Sequence, residues 1–129
     1  MRKKIFHNWP LITIYVVSKN HSKFIMQSLK SIVKQTYTNW ELFFIDDNSN
    51  DKSFQIAKKI NNKKIKFIKL RKNFGVQKIA NYVLKKSKGK YLIRLDGDDW
   101  FDENALLNLV TKIEKNKNAS AIYGGFYYT

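Results

Sequence analysis

Asp96, Asp98 and Asp99 crowd a single turn of the sequence, in the stretch Tyr91 to Trp100 that reads YLIRLDGDDW. The apolar run Tyr91 to Leu95 has the character of a strand that delivers acid to a loop, and Gly97 permits a tight turn between the first two carboxylates. Carboxylates this close repel one another, so the cluster is settled by a cation or a donor-rich ligand among them. The chain has no cysteine, and His7 and His21 have no partner at ligand spacing, so a bound metal would be held by oxygen. A lone D-x-D is ordinarily a solvated turn. Here a second acidic run, Asp46, Asp47, Asn48, Ser49, Asn50 and Asp51, closes the apolar stretch Glu41 to Ile45.

The intervening segments alternate in period. Leu11 to Val17 is apolar and β-branched nearly throughout, which suits a strand buried on both faces, and Ser18, Lys19 and Asn20 break it. Ser22 is placed to cap a helix whose Phe24, Ile25, Leu29, Ile32 and Val33 recur at helical spacing as far as Gln35. After the strand Glu41 to Ile45, Asp51 is placed to cap a short helix with a Phe54, Ala57, Ile60 stripe. Ile65 to Leu70 alternates with lysine and reads as a half-exposed edge strand. Val76, Ile79, Ala80, Val83 and Leu84 mark a third helix closed by Gly89 at its C′ position. Asp102 is placed to cap a fourth helix with Leu106, Leu109, Val110 and Ile113, and Ala119 to Tyr123 begins a fifth strand.

This βαβαβαβαβ order predicts an α/β, Rossmann-like fold: a mostly parallel sheet, right-handed crossovers, and helices on both faces. Ligands of such sheets bind at the carboxyl ends of the strands, where strand order reverses. In the order 3-2-1-4, Asp46 and Asp47, the loop Ser18 to Asn20, and Asp96 to Asp99 all open onto one crevice.

At 129 residues, 43% hydrophobic and 15% aromatic, the chain has material for one domain with a real core, spanning 10–125 of 1–129. The basic start, Met1 to Lys4, is followed by no small-residue cleavage site, and Leu11 to Val17 is too short to span a bilayer, which reads as a cytoplasmic protein. A formal charge of +15 attracts either nucleic acid or an anionic membrane surface. Only Arg2, Arg71 and Arg94 offer bidentate contacts, and lysines are spread over every segment, which favours general solubility over nucleic-acid binding.

Four pieces in order resemble the nucleotide-binding half of family 2 glycosyltransferases with the GT-A fold. They are LITIYVVSKN, SLKSIVKQTYTNWELFFIDDNSND, the NFG of Asn73 to Gly75 with Asn81 behind it, and GKYLIRLDGDD. The resemblance covers nearly everything from Pro10 onward. It implies a UDP-sugar donor, a divalent metal (Mn2+ or Mg2+) bridging carboxylate and diphosphate, and hexosyl or N-acetylhexosaminyl transfer to a glycan or lipid-linked acceptor in cell-wall or capsule polysaccharide synthesis. By analogy Asp98 is the direct metal ligand. Asp96 orients the ribose or the metal's waters and shares the metal site, and the two together activate the donor. Asp47 receives the base or its ribose, and Asp46 is a supporting residue. Ser18, Asn20, Asn73 and Gly75 complete the donor site, with Lys78 and Arg71 near the diphosphate. The chain departs from the family's pattern at Val17, Ser18, Lys19 and Ala80, which alters base and phosphate contacts but leaves the metal motif intact.

Family members continue into an acceptor half that carries an Asp or Glu base, whereas this sequence stops at Phe126 to Thr129. The expectation is therefore a donor half, incomplete at its C-terminus and inactive alone. Its final strand would be covered by a missing segment or a partner chain, and the protein would lie peripherally at the inner face of the membrane. Two other classes fit less of the pattern. A receiver-like signalling domain would place its acid pair after the first strand, where Ser18 and Lys19 stand, and a basic nucleic-acid module would expose aromatics that here fall on core stripes, such as Phe43, Phe44 and Phe54.

Overall fold

The computed structural model describes residues 9–122. Strands and helices alternate along them: β1 (Ile12–Ser18), α1 (Ile25–Val33), β2 (Trp40–Asp47), α2 (Ser53–Ala57), β3 (Ile65–Leu70), α3 (Val76–Lys86), β4 (Tyr91–Asp96) and α4 (Ala105–Lys115). The strands form one parallel sheet in the order β3-β2-β1-β4, as the alternation predicts. β1 and β2, whose sequences are apolar on both pleat faces, take the two central places.

Successive residues of these strands feed two cores. Ile12, Ile14 and Val16 of β1 and Leu42 and Phe44 of β2 pack with Ile25, Leu29 and Ile32 of α1, Ala57 of α2, and Leu106 and Val110 of α4. Tyr15, Phe43 and Ile45 face the other way and pack with Ile79 and Val83 of α3. Among the described residues, helices therefore cover both faces, three against one. Only part of each predicted stripe is buried: Phe24 and Val33 flank α1 in the open, and Val76 and Leu84 of α3 are more than half exposed. The lone helix on its face meets the sheet along a line narrower than its apolar stripe.

Several expected helix ends are set differently. α1 starts at Ile25 with Phe24 at the cap position and no capping side chain. Ser22 instead donates its amide to Asp51 Oδ2 at 3.1 Å, so the turn before the helix is used to tie two loops together. Asp51 accepts from the amide and hydroxyl of Ser53 at the start of α2, one residue ahead of the cap position held by Lys52, and α2 ends before Ile60. Asn104, not Asp102, holds the cap position of α4, while Asp102 accepts the Asn104 amide through Oδ2 and the Ala105 amide through its carbonyl. Residues 119–122 are not in a strand, and the rest of the expected fifth strand lies outside the described residues.

Gly89 does not close α3, which ends at Lys86. It lies against β1, where its amide donates to Thr13 Oγ1 at 2.9 Å. Thr13 Oγ1 in turn donates to Glu41 Oε1 at 2.7 Å, and Glu41 Oε1 also accepts the Lys88 amide at 2.7 Å, so the α3–β4 connection is fastened to both central strands. A Cβ on Gly89 would stand 2.5 Å from the Thr13 amide nitrogen and 2.9 Å from the Leu11 carbonyl oxygen. Gly89→Ala is therefore expected to destabilise the protein by about 1–3 kcal/mol, the usual cost of forced overpacking. Denaturant unfolding beside the neighbouring Lys88→Ala checks this, the latter being near neutral.

Candidate functional site

Parallel register brings the two acidic strand ends to either side of β1. Ser18 pairs with Asp46 across one edge, and Val17 pairs with Asp96 across the other. β2 and β4 each run one residue or more further than their apolar stretches suggest, so Asp46, Asp47 and Asp96 are strand residues rather than loop residues. The turn after β4 hugs β1: the Gly97 amide donates to the Val17 carbonyl at 3.0 Å. A Cβ at Gly97 would fall 2.6 Å from His21 Nδ1 and 3.1 Å from Ser18 Oγ, so a larger residue there would have to displace the His21 side chain.

Asp96, Asp98 and Asp99 each offer a carboxylate oxygen within 4.8 Å of the others. Partial burial, then the charges of Asp98 and Asp96, push the Asp99 carboxyl above its ordinary range, with His21 pulling the other way. Arg94, two residues before Asp96 and so on the same pleat face, directs Nε and Nη2 to Asp96 Oδ1 at 2.9 and 2.8 Å. The loop beyond is pinned to α1. Phe101 donates its amide to Ser31 Oγ at 3.0 Å, and the buried Gln35 donates to the Asp102 carbonyl while accepting the Leu106 amide at 3.0 Å.

The loops after β1 and β2 are laced together by hydrogen bonds. Asp46 is fully buried and accepts both the hydroxyl and the amide of Ser49, at 2.6 and 3.0 Å. The Asn20 amide donates to Ser49 Oγ, Asn20 Oδ1 accepts the Asn50 amide at 2.8 Å, and the His21 amide donates to Ser53 Oγ. Among the described residues, two polar atoms at this end of the sheet are buried without a protein partner: Ser18 Oγ and Asp47 Oδ1. Such atoms are costly unless something satisfies them, which marks a ligand or solvent position. An all-oxygen carboxylate set beside them suits a hard divalent cation.

The sequence matches the Glycosyl transferase family 2 profile over residues 13–129. The chain belongs to glycosyltransferase family 2. It is 34% identical over 117 residues to an uncharacterized glycosyltransferase of Haemophilus influenzae, covering 89% of this chain and 36% of that protein. It is 33% identical over 116 residues to UDP-Glc:alpha-D-GlcNAc-diphosphoundecaprenol beta-1,3-glucosyltransferase WfgD of Escherichia coli, covering 90% and 46%. Among solved structures it is similar to S. aureus TarS 1-349 in complex with UDP-GlcNAc, with 29% identity, a TM-score of 0.75, and coverage of 82% of this chain and 32% of that one. The fold is that of GT-A glycosyltransferases, and the chain spans less than half the length of these relatives.

In this family 2 domain the expected site residues fall into two groups. Ser18, Asp47, Asp96 and Asp98 stand at the carboxyl ends of β1, β2 and β4. Asn20 and Asn73 serve the loops: Asn73 Oδ1 accepts from Lys19 Nζ at 2.9 Å, joining the connection after β3 to that after β1, and Gly75 stands at the head of α3. Arg71 and Lys78 are exposed. Arg94 and His21 were not legible as site residues. The period of two along β4 would have flagged Arg94, but only the fold brings His21 Nε2 to 3.9 Å from Asp98 Oδ2. Glu114 is at the far end of the sheet, accepting from Lys90 Nζ and Tyr91 Oη at 3.0 and 2.9 Å.

Asp51 reports on the laced loops. Burial alone would raise its carboxyl, but hydrogen bonds from Ser53 and Ser22 outweigh that and lower it from an ordinary 3.8 to about 2. A depressed folded-state value contributes stability above pH 3.8 that is lost as pH falls through about 2. Asp51→Asn is therefore expected to flatten the pH dependence of unfolding across that window, as acid titrations followed by circular dichroism would register.

Proposed function

We propose that this domain binds a nucleotide-sugar donor, a UDP-sugar, at the carboxyl ends of β1, β2 and β4 for transfer to a cell-surface glycan or lipid-linked acceptor. The observation that carries the reading is the pairing of a three-carboxylate turn with the unpartnered, buried Asp47 Oδ1 at the same end of the sheet. The diphosphate is an anion that an acidic crevice does not hold directly. Asp98 and Asp96 would hold a divalent cation, Mn2+ or Mg2+, with Asp99 in support. When bound, the cation supplies Lewis acidity against the charge that builds on the leaving nucleoside diphosphate.

The remaining steps belong to side chains. Arg94 fixes Asp96 through Oδ1 and leaves Oδ2 without a protein partner among the described residues. Asp47 accepts the uracil imide N–H or a ribose hydroxyl, and Ser18 Oγ, equally unpartnered, supplies a second polar contact. Ser49 and Asn20 hold the loop that frames them. A hexosyl or N-acetylhexosaminyl class is part of this reading, supported by the printed names of WfgD and of the TarS complex with UDP-GlcNAc. The printed name of WfgD specifies a UDP-glucose donor and a diphosphoundecaprenol-borne acceptor, which favours a lipid-linked acceptor here and a position at the inner face of the membrane. Glu114 is paired with Lys90 and Tyr91 away from the site, which supports a reading in which the base that deprotonates the acceptor is another residue.

Titration calorimetry with UDP, with and without manganese, tests the donor site. Binding is expected to require the metal, and Asp98→Ala is expected to weaken it at least about 10-fold, the scale on which even an outer partner of a metal ligand acts. Glu114→Gln should leave it unchanged. Equal binding without metal, or by Asp98→Ala, contradicts the assignment.

A further inference from the structure

The outward face of α1 combines a row of lysines with exposed apolar side chains. Lys23 in the turn before α1, Gln27 and Lys30 within it and Lys34 at its C-cap follow one another at spacings of four, three and four residues, which aligns them in one row. Among the described residues no carboxylate or ring engages the ammonium groups of Lys23, Lys30 and Lys34. Six lysines elsewhere lie over the protein's own rings: Lys58 and Lys69 over Phe54, Lys64 over Trp40, Lys66 over Phe43, Lys72 over Phe74 and Lys90 over Tyr91. The free row borders a shallow groove of about 560 Å³, whose lining includes Met26, Phe101 and a single carboxylate, Glu103. Apolar side chains stand out on either flank, with Phe24 45% and Val33 39% exposed. Trp100, which precedes Phe101, is 45% exposed.

We propose that the outer face of α1, with Trp100 and Phe101, docks on an anionic phospholipid bilayer. Unpaired lysines meet anionic headgroups while their stems lie along apolar surface, and exposed Trp and Phe seat at the level of the headgroups. Trp100 and Phe24 offer π-faces to a base, but the row beside them holds no arginine for bidentate phosphate or base contacts, and Met26 and Val33 add apolar surface that an acyl boundary covers. A second copy of the chain is disfavoured, because a twofold contact would set the lysine row against itself. Trp100 and Phe101 follow directly on Asp98 and Asp99, so docking here holds the acidic turn at the membrane surface. The docking proposal is independent of the donor reading, since it concerns the neighbouring face and is tested without nucleotide or metal.

Co-sedimentation of the whole chain with vesicles of equal phosphatidylglycerol and phosphatidylcholine, against pure phosphatidylcholine, tests it. Binding is expected only to the mixed vesicles. Replacing Lys23, Lys30 and Lys34 together by Gln should weaken it on the order of 100-fold, whereas removing the same charge at Lys58, Lys59 and Lys63 should cost less than about tenfold. Glu103→Lys should strengthen binding, and Phe24→Ser with Trp100→Ser should weaken it at low and high salt alike. Thermal melts identify any variant that fails to fold, and Glu103→Lys keeps the proposal testable by a gain rather than a loss. The proposal is overturned by absence of binding to the mixed vesicles, by equal losses from the two lysine triples, or by preferential retention on single-stranded nucleic acid through the same residues.

Discussion

Parallel pairing on both edges of β1 is the constraint from which the site follows. Because β2 and β4 run in the same direction as β1, their carboxyl ends arrive at one edge of the sheet, with Ser18 level with Asp46 and Val17 level with Asp96. An antiparallel neighbour would have sent its acidic end to the opposite edge. The apolar content of β1 and β2 makes the arrangement possible, since strands with helices on both sides must bury both pleat faces. Gly97 then lets the acidic turn close down on β1 without displacing the His21 side chain.

Charge is distributed by function rather than by total. The domain carries a large positive excess, yet carboxylates gather at the carboxyl ends of β2 and β4. Their repulsion is partly answered within the protein by Arg94 on Asp96 and by His21 near Asp98. Asp46 is satisfied wholly by Ser49, which makes it a brace for the loop, whereas its neighbour Asp47 keeps one oxygen without a partner. Two adjacent aspartates on alternate faces of one strand thus do different work.

Much of the scaffold was legible in the residues. Ile65 to Leu70 reads as an edge strand because lysines alternate with apolar residues, and β3 has those bounds and that place. Where the reading failed, spacing named a face or a cap without naming what meets it. Ser22 and Gly89 look like helix-end residues, but one is spent on Asp51 and the other on Thr13, partners 29 and 76 positions away. Val76 and Leu84 sit on a helical stripe that is wider than its contact with the sheet. His21 was missed for a related reason, since a role created by a neighbour across the fold leaves no local pattern, whereas Arg94 stands two residues from Asp96 and follows from the strand period alone.

The two outer strands of the sheet are unlike each other. Along β3, Lys66 and Lys69 stand exposed and lie over Phe43 and Phe54, a charged border that discourages further pairing. β4 carries no lysine, and its exposed residues are Leu92 and Arg94. Among the described residues the sheet thus has a closed margin and a receptive one. A strand laid along the receptive margin would lie next to Arg94 and Asp96. Extending the sheet and building out the wall of the crevice are, for this architecture, the same event.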